Sequence, residues 1–133
     1  ALIAHLGDLP LATSQPEYSP AFLGPLRDGT FDLCMRDGIV PLAWSPLGGG
    51  RLMSGENVPA ALIATLDELA EREGVDRAAI CYAFVLAHPS APVALLGTQN
   101  PDRLRAAVAA LDVTLDRNDV YRIVQNSEGV PLP

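Results

Sequence analysis

The chain has 133 residues, 49% hydrophobic and 19% charged, with sixteen acids against nine arginines, no lysine and a net charge of −7. That suffices for one ordinary domain and not for two, is too apolar for a disordered tail, and is too acidic for nonspecific nucleic acid binding. No apolar stretch reaches the ~18 residues of a membrane span, and residues 1–6 lack the basic start and cleavage site of a signal peptide, so a cytoplasmic protein that engages neither membrane nor nucleic acid is expected.

Taken in chain order, residues 1–6 read as the last turns of a helix closed by Gly7, so the chain is expected to begin inside an element. Residues 11–15 make a short strand, followed by a loop enforced by Pro16 and Pro20. Thr30 precedes a short helix over residues 31–37, which Gly38 ends. Ile39, Val40, Leu42 and Ala43 then form an apolar run of the kind expected for a parallel strand buried on both faces. Pro59 opens an amphipathic helix with Leu62, Ile63, Leu66, Leu69 and Ala70 on one side, ended by Gly74. Asp76 is placed to cap a largely apolar helix over residues 77–88, which Pro89 stops. Residues 93–96 form a third strand, a helix runs from Pro101 to about Leu111, and a last amphipathic helix covers residues 116–126. The tail, residues 129–133, reads as a natural end. Strands alternating with helices imply a parallel sheet with right-handed crossovers.

The most informative stretch is residues 38–51, Gly-Ile-Val-Pro-Leu-Ala-Trp-Ser-Pro-Leu-Gly-Gly-Gly-Arg. A strand runs into a turn, and ligands bind at the carboxyl ends of parallel strands. Gly48, Gly49 and Gly50 admit backbone angles closed to other residues and could expose N–H groups to an anion, with Arg51 as a forked donor. A glycine triplet between two elements is, on its own, more often a plain loop. Trp44 adds weight, because an exposed indole at a strand end is costly unless something flat covers it. The second strand-to-helix turn, Gly97-Thr98-Gln99-Asn100, repeats the pattern. A helix N-terminus offers free N–H groups to an anion, and simple capping is an equal alternative. Cys34 and Cys81 are far apart and read as buried free thiols, no metal site is expected, and His5 and His88 read as capping or exposed.

Residues 43–48, Ala-Trp-Ser-Pro-Leu-Gly, resemble the turn after the seventh barrel strand in the bacterial branch of the aldo-keto reductase family. Residues 95–111 resemble that family's adenosine phosphate loop and the helix after it. The resemblance covers nearly all of the chain and only the carboxyl-terminal half of the family's (β/α)8 TIM barrel. It implies an α/β fold of about three parallel strands with flanking helices and a final helix, in one partial domain over residues 1–133. It further implies a cofactor site for NADP. The stacking ring would be Trp44, with the pyrophosphate held by Ser45, Pro46, Leu47, Gly48, Gly50 and Arg51. Gly97, Thr98 and Gln99 would form the second loop, and Arg103 would meet the 2′-phosphate. The residues themselves also allow Arg103 a surface ion pair with Asp102.

Gln15, in a Ser14-Gln15 pair where the family has Asn-Gln, would bind the nicotinamide carboxamide or else serve its own loop. Ala106 and Ala107 stand where many members carry Glu and Asn. Hydride transfer from NADPH to an aldehyde or ketone is the family's reaction. Its tyrosine, lysine, aspartate and histidine belong to the other half, so no residue of this chain is assigned to catalysis, and the isolated chain is expected to be inactive. Other readings are a non-catalytic nucleotide-binding module and a half-barrel that self-associates or pairs with an amino-terminal half.

Overall fold

The computed structural model describes residues 2–131. Ala1, Leu132 and Pro133 lie outside the described residues, and with them one end of the expected first helix and of the expected tail. The elements in order are α1 (Leu2–His5), β1 (Thr13–Ser14), α2 (Thr30–Asp37), β2 (Val40–Ala43), α3 (Arg51–Ser54), α4 (Ala60–Glu73), α5 (Arg77–Leu86), β3 (Val93–Ala94), α6 (Pro101–Val108) and α7 (Arg117–Glu128). Single 3-10 turns occupy Gly24–Leu26, Gly48–Gly50 and Ala109–Leu111.

The three strands form one parallel sheet in the order β1-β2-β3, with Thr13 opposite Val40 and Leu42 opposite Val93. Both outer strands are shorter than the segments expected, residues 11–15 and 93–96. At β1 the cause is local: Pro10 and Pro16 flank it, and proline has no N–H for the ladder. At β3 the ladder gains one further bond, from the Leu95 N–H to the Ala43 carbonyl at 2.9 Å.

The expectation that β2 is buried on both faces is corrected. Pro41 and Ala43 are buried against the helices, whereas Val40 is 43% exposed and Val93, beside it on the same face, 47%. A strand in a closed barrel is covered on both sides; here helices cover one side and the other, which would face a barrel axis, lies open.

Helix boundaries follow from local chemistry. Asp76 caps α5 by accepting from the Ala79 N–H at 2.8 Å, and Asp116 and Asp119 form a reciprocal capping box at the start of α7. Gly38 and Gly74 take left-handed angles just past α2 and α4, as residues after a helix commonly do. The core gathers Leu62, Leu66 and Leu69 of α4, Ile80 and Phe84 of α5 and Ile123 of α7. Tyr18 and Phe31 meet edge to face inside it, with ring centroids 4.8 Å apart. His88 joins this group, tilted over Phe31 at 4.3 Å with Nδ1 accepting from the Ser90 N–H. It is therefore a packed ring rather than a cap or a solvent-facing group, and burial lowers its pKa. Cys34 and Cys81 are buried and free, with the Cys81 thiol pushed up to about 12 mainly by burial.

Candidate nucleotide cleft

Two loops leave the carboxyl ends of the neighbouring strands β2 and β3, and a cleft of about 580 Å³ opens between them. The chain turns out of β2 at Ser45, whose φ of +51° is unusual for a residue with a side chain. Gly48, Gly49 and Gly50 follow at φ +60°, +66° and +92°, a left-handed run that only glycine adopts without strain. The loop is held internally. The Gly48 N–H donates to the Ser45 carbonyl at 2.7 Å and the Gly50 N–H to the Leu47 carbonyl at 3.0 Å. The expectation that these glycine amides face an anion is thus corrected for those two: the amides close the turn and leave the loop's surface, rather than its donors, to the cleft.

The second turn also satisfies itself. Asn100 caps α6, its side-chain oxygen accepting from the N–H groups of Asp102 at 2.9 Å and Arg103 at 3.4 Å, while its own N–H donates to Thr98 Oγ1 at 3.2 Å. The helix N-terminus that looked free for an anion is therefore largely spoken for, and the cationic contribution falls to side chains.

Of the residues expected in a cofactor site, Ser45, Pro46, Leu47, Gly50, Gly97, Thr98 and Arg103 line the cleft together. Others do not. Gly48 is buried below the loop, where a Cβ would stand 3.3 Å from Ala21. Arg51 points back to its own loop, donating from Nε to the Gly48 carbonyl at 2.9 Å, so it braces the turn. Gln99 is exposed outside the lining. Trp44, 43% exposed, bridges to Glu17 beside β1, and the register carries it to the open sheet face with Val40 and Leu42. Gln15 shares that face by strand alternation from Thr13. The expected residues thus fall into two groups, one in the cleft and one on the open face beside it.

Two charged side chains line the cleft, Asp76 and Arg103. Six of the nine arginines pair with carboxylates: Arg27, Arg36, Arg72, Arg77, Arg105 and Arg122. Arg51 holds a carbonyl, and Arg117 donates to the Tyr121 hydroxyl. Among the described residues Arg103 alone has a guanidinium with neither hydrogen bond nor ion pair. Its rival partner Asp102 pairs with Arg105 at 2.7 Å instead. A planar cation left unpaired in an acidic chain is suited to an incoming oxyanion.

Arg77 fastens the loop from behind. It grips Asp67 of α4 with both fork positions at 2.6 and 2.7 Å and donates to the Leu52 and Met53 carbonyls at 2.8 and 3.3 Å. Met53 lines the cleft, as do Asp76, Ala78 and Tyr82 of the α5 region. Sequence reasoning missed these four, because they sit in segments that read as cap and core. Ala106 and Ala107 of α6 also form wall, keeping it smooth and apolar. No group of three or more potential metal ligands occurs among the described residues, and no helix among them is long and apolar enough to cross a membrane.

Parallel strands with helices on one side, and a cleft beyond the carboxyl ends of two adjacent strands, define a segment of an α/β barrel. The chain belongs to the aldo/keto reductase family, whose model matches residues 2–128. It is 37% identical to a 6-dehydroglucose reductase of Novosphingobium aromaticivorans, over all of this chain and 44% of that protein. It is 36% identical to the oxidoreductase YdhF of Escherichia coli, over 92% of this chain and 41% of that one. Among solved structures, a thermostable aldo-keto reductase, Tm1743, superposes with a TM-score of 0.81 at 24% identity, over 94% of this chain and 44% of that one. An aldo/keto reductase from Brucella melitensis does so at 0.72 and 26%, over 94% and 42%. The chain therefore spans less than half the length of these relatives, and its fold is a partial (β/α)8 barrel of an oxidoreductase family.

Proposed function

We propose that this chain supplies the cofactor half of a carbonyl reductase site that takes NADP, with the proton-donating residues contributed by a segment outside these 133 residues. The observation that carries the reading is Arg103, an unpaired guanidinium on the wall of a cleft built from two strand-end loops. A cleft of about 580 Å³ falls within the range of small-molecule and cofactor sites. Bound NADPH would supply a hydride to the carbonyl carbon of an aldehyde or ketone. The reaction class is taken from the family and from relatives that carry the names reductase and oxidoreductase.

The tasks of this chain's own residues follow from their positions. The Ser45–Gly50 turn and the Gly97-Thr98 turn would flank the pyrophosphate as two walls. Arg103 would pair with the 2′-phosphate, an oxyanion that NAD lacks. Trp44 and Gln15, on the open sheet face, offer a flat ring and an amide that can both donate to and accept from a carboxamide. Proton donation is not assigned here: Tyr18 and Tyr82 are both pushed above the ordinary phenol range by burial, and the chain has no lysine to oppose that.

Fluorescence titration of the full chain with NADPH and NADH tests the reading. Arg103→Ala is expected to weaken NADPH by roughly tenfold or more, the loss of a charge-assisted pair, and to leave NADH unchanged. Equal effects on the two cofactors would overturn the role of Arg103. A second reading, a half-barrel that acts by assembly, is favoured by the open sheet face; it requires no dinucleotide binding, so the same titration separates the two.

A further inference from the structure

Tyr82 stands out on the cleft wall. It lies mid-helix in α5, is 7% exposed, and packs its ring among Ala79, Ala83 and Ala110. Among the described residues its hydroxyl meets no hydrogen-bonding partner, although no fully buried side-chain oxygen or nitrogen is left without one. The oxygen therefore reaches solvent, and the surface that this residue reaches is the cleft. The ring is packed as core while its hydroxyl, held by no partner among the described residues, is left for solvent or a ligand at the cavity wall.

The surroundings of that oxygen specify what it suits. Arg103 and Asp76 lie within electrostatic reach of it, both also on the cleft wall. Asp76 already accepts from the Ala79 N–H, and its charge sits at the positive end of α5, which offsets it. Ala78, Ala106 and Ala107 supply no polar atoms from their side chains. The side-chain donors of the lining are the Arg103 guanidinium and the hydroxyls of Tyr82, Ser45 and Thr98, of which Tyr82 is the one within electrostatic reach of Arg103. Burial first, with Asp76 adding to it, raises the phenol's pKa against the opposing pull of Arg103, so it stays protonated at neutral pH.

We propose that Tyr82 is a specificity-determining residue of this cleft, its hydroxyl donating to the same oxyanion that Arg103 binds and so favouring a nucleotide with a phosphorylated ribose. The inference rests on the nucleotide reading of the cleft and adds a residue on a different helix.

The test is Tyr82→Phe in the full chain, which keeps the ring and removes only the oxygen, with an unchanged melting temperature verifying the fold. Calorimetric dissociation constants are measured for NADPH, NADH, 2′,5′-ADP and 5′-AMP. The variant is expected to bind NADPH and 2′,5′-ADP about three- to tenfold more weakly, the range of one hydrogen bond, with NADH and 5′-AMP unchanged. Equal weakening of all four, or no weakening, overturns the role of Tyr82 while leaving the cleft reading intact. A wild-type chain that binds none of the four overturns both.

Discussion

Gly49 holds φ at +66° with nothing within 4 Å of where a Cβ would stand, so a side chain there meets no neighbour and only the backbone resists it. Gly48 adds a close neighbour, Ala21, to the same left-handed geometry. Gly49→Ala should therefore cost about 1–2 kcal/mol of stability, and Gly48→Ala more, as read by urea denaturation; equal and negligible costs would mean that the turn relaxes freely. The glycine turn was legible in the sequence because only glycine tolerates such angles. Arg103 was singled out through the family resemblance, and the fold adds that its guanidinium lies unpaired on the cleft wall. Arg51 looked identical in one dimension, and only the fold reveals that its Nε is turned back onto the Gly48 carbonyl. Tyr82 was illegible for a different reason: a tyrosine in an apolar helix looks like core, and whether its oxygen finds a partner depends on helices distant in sequence.

Between elements, the principal polar joint links α4 to α7. Arg72 donates to both oxygens of Asp119 at 2.9 and 2.8 Å, while Asp119 also accepts from the Asp116 N–H at 3.1 Å in the capping box. The Arg72 hydrogen bonds hold the Asp119 carboxyl below the ordinary carboxylate range, against the opposing effect of burial. A carboxyl with a depressed folded pKa contributes stability in full above its unfolded value, near 4, and loses it as pH falls through the folded value. Asp119→Asn should thus cost about 1–2 kcal/mol at pH 7, and the gap between variant and wild type should close as pH falls below about 4. A gap that persists at low pH would assign the cost to packing. The cap at Asp76 was legible, since the acid precedes an apolar run, whereas Asp116 read as the first residue of the last helix and is in fact its cap. Strand lengths were not, because pairing at β1 and β3 depends on what lies alongside: each has a neighbour on one side only.

For the molecule as a whole, the open sheet face is the dominant physical fact. Val40, Trp44 and Val93 are each more than 40% exposed along it, and both outer strands present unpaired edges. The 133-residue chain alone is expected to self-associate at about 0.1 mM, measured by light scattering, and Val40→Glu should reduce that association; a monodisperse monomer would refute it. The barrel half was legible from strand-helix alternation and the two loop motifs, whereas the apolar run at residues 39–43 read as buried on both faces and gave no sign of the open one. Arg77 bears on how this unit moves. Its guanidinium ties Asp67 of α4 to the carbonyls of Leu52 and Met53 in α3, so amide hydrogens of the glycine loop and of α4 should exchange with solvent as one cooperative unit. Release of a ligand from the cleft would then be timed by the breathing of a helix that does not line it.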